Sequence, residues 1–501
     1  MAILLDHETR RTGALRLGRG AVVWLLLAGV LAAAVLLRIL VPINNDVSWL
    51  LTAGDQVLAG HRLYADVLET NPPIAVLAYI PATLIGRWTG LAPEIVVAIL
   101  VLAAISLALA CAVRIARRFD TGRALSPVLI VLGFAILAIV PFQEFAQREH
   151  IAIIAAVPMI AVLIARANGE ALPRWAKIAA GLGAGIMLMF KPHFALGLVC
   201  TSAALAIRRR DVRLLATMEN VVAGLIFAAY VVFIIAVFPD FFSVIGPLAK
   251  DVYIPVGRPF GELISEFGML CWTGTLVLAF ALKPGPKSGA AVNVLLAMSG
   301  GLMLAFLLQR KGWPYHAYPM VAVALFACGV ALTSSRIAAE SRALRAIVTA
   351  AFVLLLGSAT FWFRDASNPA PLTAYLSKFG PNPSLLVVGG EASVGHPAVR
   401  VLHGRWVSRQ SSLWVTNFVR YMRAHGLVSP EKAPVLDRYV ARERAWLIED
   451  IKRRPPTLVL VDNLTGAWGG WLRADPELTA LLKPFRRVGS FERIDVLQRT
   501  E

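Results

Sequence analysis

The chain has 501 residues, 58% of them hydrophobic and 16% charged, with a mean hydropathy of +0.68; that is too apolar for a soluble globule. The formal net charge of +18 could point to nucleic acid, but the excess sits in short loops between apolar stretches and in the tail. There it serves membrane topology and anionic lipid heads, so membrane lipids are expected partners and nucleic acid is not. Cys111, Cys200, Cys271 and Cys328 all fall within apolar stretches, which indicates neither a disulfide framework nor a cysteine metal site.

In chain order, about 11 transmembrane helices are expected, at roughly 21–41, 92–113, 124–141, 151–165, 176–190, 194–207, 217–238, 262–282, 289–308, 316–333 and 345–363. Three of them, 151–165, 176–190 and 194–207, are short against the ~20 residues a straight crossing needs. The first is long and lacks a small-residue cleavage site, so it reads as a retained anchor. Six basic clusters, Arg10–Arg19, Arg114–Arg123, Arg166–Lys177, Arg208–Arg213, Lys283–Lys287 and Arg336–Arg345, hold 20 Lys/Arg. They alternate with the loops Asn44–Pro73, Phe142–His150, Lys191–Phe194, Pro239–Gly261 and Gln309–Tyr315. The excess of Lys and Arg left inside a membrane places the clusters in the cytoplasm and the loops outside, with a cytoplasmic N-terminus and a periplasmic tail. Ile74–Gly90 is apolar but broken by Pro81 and closed by Arg87 and Trp88. As a full crossing it would invert every later loop, so it reads as a juxtamembrane or re-entrant helix.

The outer loops carry the chemistry. Asp46 follows the first span, flanked by Asn44, Asn45 and Trp49; a carboxylate at that boundary can take a proton from a hydroxyl or hold a divalent cation. Asp66 and Glu69 are further acids of the same loop. Gln143–His150 packs Glu144, Arg148, Glu149 and His150 into eight residues, and ionisable groups beside hydrocarbon are costly enough to suggest function. Arg148 suits bidentate phosphate recognition. Glu149 or Glu144 is the candidate second carboxylate, and His150 a candidate bond to phosphate or sugar. Lys191 and His193 sit at the helix-breaking Pro192. Arg310, Lys311, Trp313, Tyr315 and His316 combine two cations with rings that can stack on a sugar. Arg38, in the last turn of the first span, either pairs with Asp46 or reaches outward.

The order of apolar span, Asp46, the stretch Gly60-x-x-x-Tyr64-x-Asp66, then Asn71-Pro72-Pro73 opening a short apolar helix resembles the membrane-embedded GT-C glycosyltransferases. Within them it is most similar to the branch of the protein O-mannosyltransferases and lipid A aminoarabinose transferases. As architecture the likeness covers residues 20–363, with specific motifs at some 60 positions. It implies a polyprenyl-phosphate-linked sugar donor, an envelope glycan, lipid or protein as acceptor, and a catalytic acid in the first outer loop, where Asp46 matches. Val47 stands where many members have a second acid, and Asn71 where many have a cation before Pro-Pro. The expected catalytic set is therefore Asp46, Asp66, Glu69 and Glu149. Donor phosphate would fall to Arg148, His150, Lys191, Arg310 and Lys311, and sugar or acceptor to Asn71, His193, Trp313, Tyr315 and His316. The metal site is left unassigned, with a divalent cation (Mg or Mn) as the candidate cofactor. Rival readings are a transporter or lipid-glycan flippase, which expects ionisable groups at mid-span, and a non-catalytic scaffold of an envelope polysaccharide machine.

The chain divides at about residue 363 into a multi-span domain, 1–363, and a soluble α/β domain, 364–501. The second part holds 33 charged residues and no run long enough to span. Leu385–Gly390 and Leu458–Asp462 read as buried strands and Val435–Arg453 as a helix between them. Asp462, at a strand's end, and Trp406, Trp414, Trp468 and Trp471 could meet a glycan or serve as core and rim residues, and the second reading is preferred. The expected setting is a bacterial inner membrane.

Overall fold

The computed structural model describes residues 19–118, 127–335, 341–364 and 368–500. Of the basic clusters, Arg10, Arg11, Arg16, Arg123 and Arg336 lie outside them. All eleven expected spans contain helix: α1 Arg19–Leu40, α5 Pro93–Ala116, α6 Pro127–Ala138, α7 Arg148–Ala167, α8 Arg174–Phe190, α9 Ala195–Arg209, α10 Met218–Val237, α12 and α13 (Phe260–Ser265, Phe267–Ala281), α14 Pro286–Gln309, α15 Pro314–Ser334 and α16 Arg342–Trp362. Between them lie α2 Asn45–Leu58, α3 Ile74–Leu77, α4 Ile80–Thr89 and the one-turn α11 Gly246–Leu248, which is flanked by π-helical turns.

The helices differ in length. Among the described residues, seven helices are long and apolar enough to cross a membrane by themselves. The stretch expected to be short at 151–165 is a 20-residue helix, because Arg148, Glu149 and His150 form its first turn. The 17 residues of α8 and 15 of α9 reach only about 26 and 23 Å at 1.5 Å per residue, short of the ~30 Å apolar layer. The corner joining them carries Lys191 and is therefore recessed. Pro192 makes that corner by driving Lys191 into an extended conformation (φ −145°, ψ 97°). With 4 and 10 residues, α3 and α4 are too short to cross, as expected of a juxtamembrane segment.

The bundle closes through α8 against α7 and α10, and α14 against α9 and α15. Small residues permit the approach. A Cβ on Gly183 would strike the Ala155 carbonyl, and one on Gly301 the backbone of Leu196 and Gly197, so these glycines set helix spacing.

The C-terminal part is a five-stranded sheet in the order β2-β1-β3-β5-β4: β1 Ser384–Val388, β2 Arg405–Trp406, β3 Leu458–Asp462, β4 Phe485–Phe491 and β5 Ile494–Arg499. Strands β1, β2 and β3 are parallel, while β5 pairs antiparallel with β3 and β4. Successive side chains of a strand face opposite ways. Accordingly Leu385 and Val387 join the core of the membrane helices, while Leu386 and Val388 pack with Trp468 on the other face. Helices α17 (Trp414–Ala424) and α18 (Ala433–Arg453) complete this part, and α17 packs on Leu248 and Val252 of the membrane part. Arg400 spans the junction, bonding Asp55 at 2.7 Å and Glu94 at 2.5 Å.

Candidate active site

All five expected outer loops and the C-terminal part converge on one cavity of about 480 Å³, to which the loop Pro239–Gly261 supplies Tyr253, Val256, Gly257 and Arg258. Asp46 reaches it from the first turn of α2, whose start is fixed by Asn44 accepting the Asp46 N–H at 2.9 Å; such caps are typical of Asn. Arg148 opens α7 and donates to Asp46 Oδ2 at 2.9 Å, with Glu69 Oε1 at 3.7 Å. Its side chain is 5% exposed against 27% for Asp46, so the carboxylate faces the cavity and the guanidinium backs it. Gln147 also reaches Asp46, at 3.3 Å, and bonds Asn44 at 2.7 Å. Glu69 is held by Trp49 Nε1 at 2.6 Å and the Asn71 amide side chain at 2.5 Å. Asn71, expected to bind sugar or acceptor, thus lines the cavity and anchors a carboxylate where many members of the resembled family have a cation.

Lys191 lines the cavity from the recessed corner and pairs with Glu149 at 3.0 Å. Lys311 donates to the backbone carbonyls of Tyr253, at 2.5 Å, and Val256, and its ammonium lies 4.0 Å from the Tyr253 ring centre. Burial, and then Arg310, pull the Lys311 ammonium down to about 8. Trp313 and Tyr315 complete this wall.

Other expected site residues lie elsewhere. Asp66 pairs with Arg62 and Arg453 at 3.4 Å each. The Arg62 backbone N–H holds its carboxyl below the usual range, and it stands outside the cavity lining. Glu149 is fully buried behind Lys191, with His316 Nε2 3.6 Å away; both stand behind the lining rather than in it. His150 accepts the Ala146 N–H at 2.9 Å and meets the Leu137 carbonyl at 2.6 Å, which leaves neither ring nitrogen for phosphate. His193 packs on Phe194 outside the lining. Arg310 does line the cavity, at its exposed rim, and donates to the Arg258 carbonyl at 3.3 Å. Arg38 lies 4.3 Å over the Phe145 ring, while Asp46 takes Arg148 instead. Asp462 is buried, as the core reading expected, and accepts the N–H groups of Leu464 and Thr465.

Sequence reasoning missed the far wall. Glu391, Trp414, Phe418 and Tyr421 of the C-terminal part line the cavity, as do Tyr253 and Arg258. Trp406 and Trp468 are core as expected, whereas Trp414, for which a glycan contact was the alternative reading, lines the cavity. The one available signal was Gly389-Gly390-Glu391 after an apolar strand, since ligands of open α/β sheets collect at carboxyl ends of strands. Surrounding protein, and then Asp462 and Asp46, hold the Glu391 carboxyl above its usual range.

No family model and no curated protein matches the sequence. Among solved structures, the chain is similar to ArnT from Cupriavidus metallidurans bound to undecaprenyl phosphate, with 14% identity, a TM-score of 0.58, and coverage of 96% of this chain and 98% of that one. The apo structure of the same protein gives 14% identity, a TM-score of 0.43, and coverage of 95% and 98%. The chain thus has the fold of ArnT from end to end, the architecture that the GT-C resemblance implied.

Proposed function

We propose that the protein is an inner-membrane glycosyltransferase moving one sugar from a polyprenyl-phosphate carrier to an envelope glycan, lipid or protein on the periplasmic face. The observation that carries this reading is the pairing of a solvent-facing Asp46 with a buried Arg148, in a cavity that also holds Lys191 and Lys311. The undecaprenyl phosphate bound to the similar structure supports a lipid phosphate as the ligand. The transporter reading has less support, because the cations and acids gather at one end of the bundle rather than at mid-span.

In the proposed reaction Asp46 takes the proton of an acceptor hydroxyl. The hydroxyl oxygen bonds the anomeric carbon, the bond from that carbon to the phosphate oxygen breaks, and the electron pair leaves with the lipid phosphate. Arg148, Lys191 and Lys311 stabilise the charge growing on the phosphate. Glu69 orients Arg148, and Glu149 positions Lys191. Among the described residues no three His, Cys, Asp or Glu side chains converge. The Asp46 and Glu69 carboxylates share Arg148; if a divalent cation such as Mg or Mn were bound, Asp46 would be its ligand beside the donor phosphate, and no step is routed through a metal.

The test is mass analysis of envelope glycans and lipid carriers in a deletion strain complemented with the parent or with Asp46→Asn. The expected result is a sugar-bearing carrier that accumulates in the deletion and in Asp46→Asn but not with the parent. Identical carrier and glycan profiles in all three strains would refute the proposal.

A further inference from the structure

The cations of the cavity all belong to the membrane part, and the C-terminal part presents it with an anion. Glu391 stands just beyond the carboxyl end of β1, a strand with parallel neighbours on both sides, where open α/β sheets bind ligands. Its carboxylate is exposed to the cavity. The charges acting on it are Asp462 and Asp46, both of its own sign, and its bonded neighbour is Asn417. Gly390 is required for that arrangement, because a Cβ there would strike the Asn417 side chain. An unneutralised carboxylate in a built setting is a poor seat for phosphate and a good acceptor for hydroxyl donors. Beside it runs an aromatic wall, with the Tyr253 ring 6.5 Å from Trp414 and 6.0 Å from Phe418, and with the Lys311 ammonium 4.0 Å from the Tyr253 ring centre and 5.6 Å from that of Phe418.

We propose that the C-terminal domain supplies the sugar-recognition wall of the cavity, with Glu391 accepting hydrogen bonds from vicinal hydroxyls of the transferred monosaccharide and the Tyr253, Trp414 and Phe418 rings facing its apolar side. The inference rests on the glycosyltransferase reading and adds to it that the sugar lies against the C-terminal domain while the phosphate lies against the membrane helices. A carboxylate can take two adjacent hydroxyls at once, so the ligand class is a monosaccharide with a free vicinal diol.

The experiment titrates the purified full chain in detergent, by thermal shift, with four probes. These are undecaprenyl phosphate and undecaprenyl phosphate carrying glucose, mannose or arabinose. The parent is expected to bind at least one sugar-bearing carrier about tenfold more tightly than the bare carrier, a gain of the size charge-assisted bonds supply. Glu391→Gln is expected to lose that gain while keeping bare-carrier affinity, which also reports folding. Should it lose the bare carrier as well, Glu391→Asp, which keeps the charge and shortens the reach, decides by the same criterion. A variant that retains the full sugar gain, or a parent that binds no sugar-bearing carrier better than the bare one, overturns the inference. A parent that binds none of the four probes overturns the glycosyltransferase reading itself.

Discussion

Replacing Arg148 tests the phosphate side of the cavity. Its guanidinium bridges Asp46 at 2.9 Å and Glu69 at 3.7 Å with a side chain only 5% exposed. Truncation to Ala leaves two carboxylates facing each other without their shared cation, and breaking a buried pair costs about 3–5 kcal/mol. That is a large share of the ~5–15 kcal/mol that keeps a domain folded, so Ala can unfold the outer end of the bundle and confuse the result. Arg148→Lys keeps the charge and removes the planar fork. An ammonium cannot reach both carboxylates and phosphate as a guanidinium can. Losing one charge-assisted bond of roughly 1.5–3 kcal/mol weakens donor phosphate about ten- to hundredfold. The assay is titration of the detergent-solubilised variant with undecaprenyl phosphate, followed by quenching of Trp49 and Trp313, both on the cavity wall. Parent-like affinity in both Arg148→Lys and Arg148→Ala would show that Arg148 only holds Asp46 and Glu69 and takes no part in donor binding.

Three further outcomes follow from the geometry. Lys311 is charged below about pH 8 and neutral above it, so undecaprenyl phosphate affinity should fall as pH rises through 8; Lys311→Arg should remove that dependence. The same lowered value means that Lys311 opposes folding while charged and ceases to do so between pH 8 and its unfolded range near 10.5, so its contribution to stability improves with pH; equal donor affinity at pH 7 and pH 9 would refute the charge assignment. Arg400→Ala removes the bonds to Asp55 and Glu94 across the domain junction and should cost about 1–2 kcal/mol, read as a lower melting temperature; an unchanged melting temperature would mean the junction stands on apolar packing alone. A cysteine at Ala65 should react with an impermeant thiol reagent in intact cells and one at Ser288 should not, and the reverse pattern would invert the topology. Gly312 does not serve as a labelling site, since its φ of +66° and the nearness of Glu266 and Arg258 make any side chain there strained.

Hydropathy and charge made the bundle legible, because alternating basic clusters constrain which loops share a side. The loops that they set apart all contribute to the lining of one cavity. The lengths of single helices were less legible. Arg148, Glu149 and His150 look like a loop in sequence, yet they form the first turn of α7 because Asp46 and Lys191 neutralise the two charged groups. Within a loop, adjacency misled. Arg148 and Glu149 differ by one position, which on a helix turns one toward Asp46 and the other behind Lys191. His150 lies one position further and turns to backbone groups. The hairpin of β4 and β5 was missed because charged residues such as Arg486, Arg487 and Asp495 interrupt its apolar pattern. Glu391 was missed for a different reason. A lone acid after a strand gains meaning only when the fold sets it opposite Asp46, and nothing local in the sequence records that.

The central claim is that this cavity holds the phosphate of a polyprenyl carrier next to Asp46. A cryo-electron-microscopy map of the chain in nanodiscs with undecaprenyl phosphate tests it most directly. The account predicts a phosphate within hydrogen-bonding distance of at least two of Arg148, Lys191 and Lys311. Phosphate density outside the cavity, or at the rim against Arg258 and Arg310 alone, would contradict it.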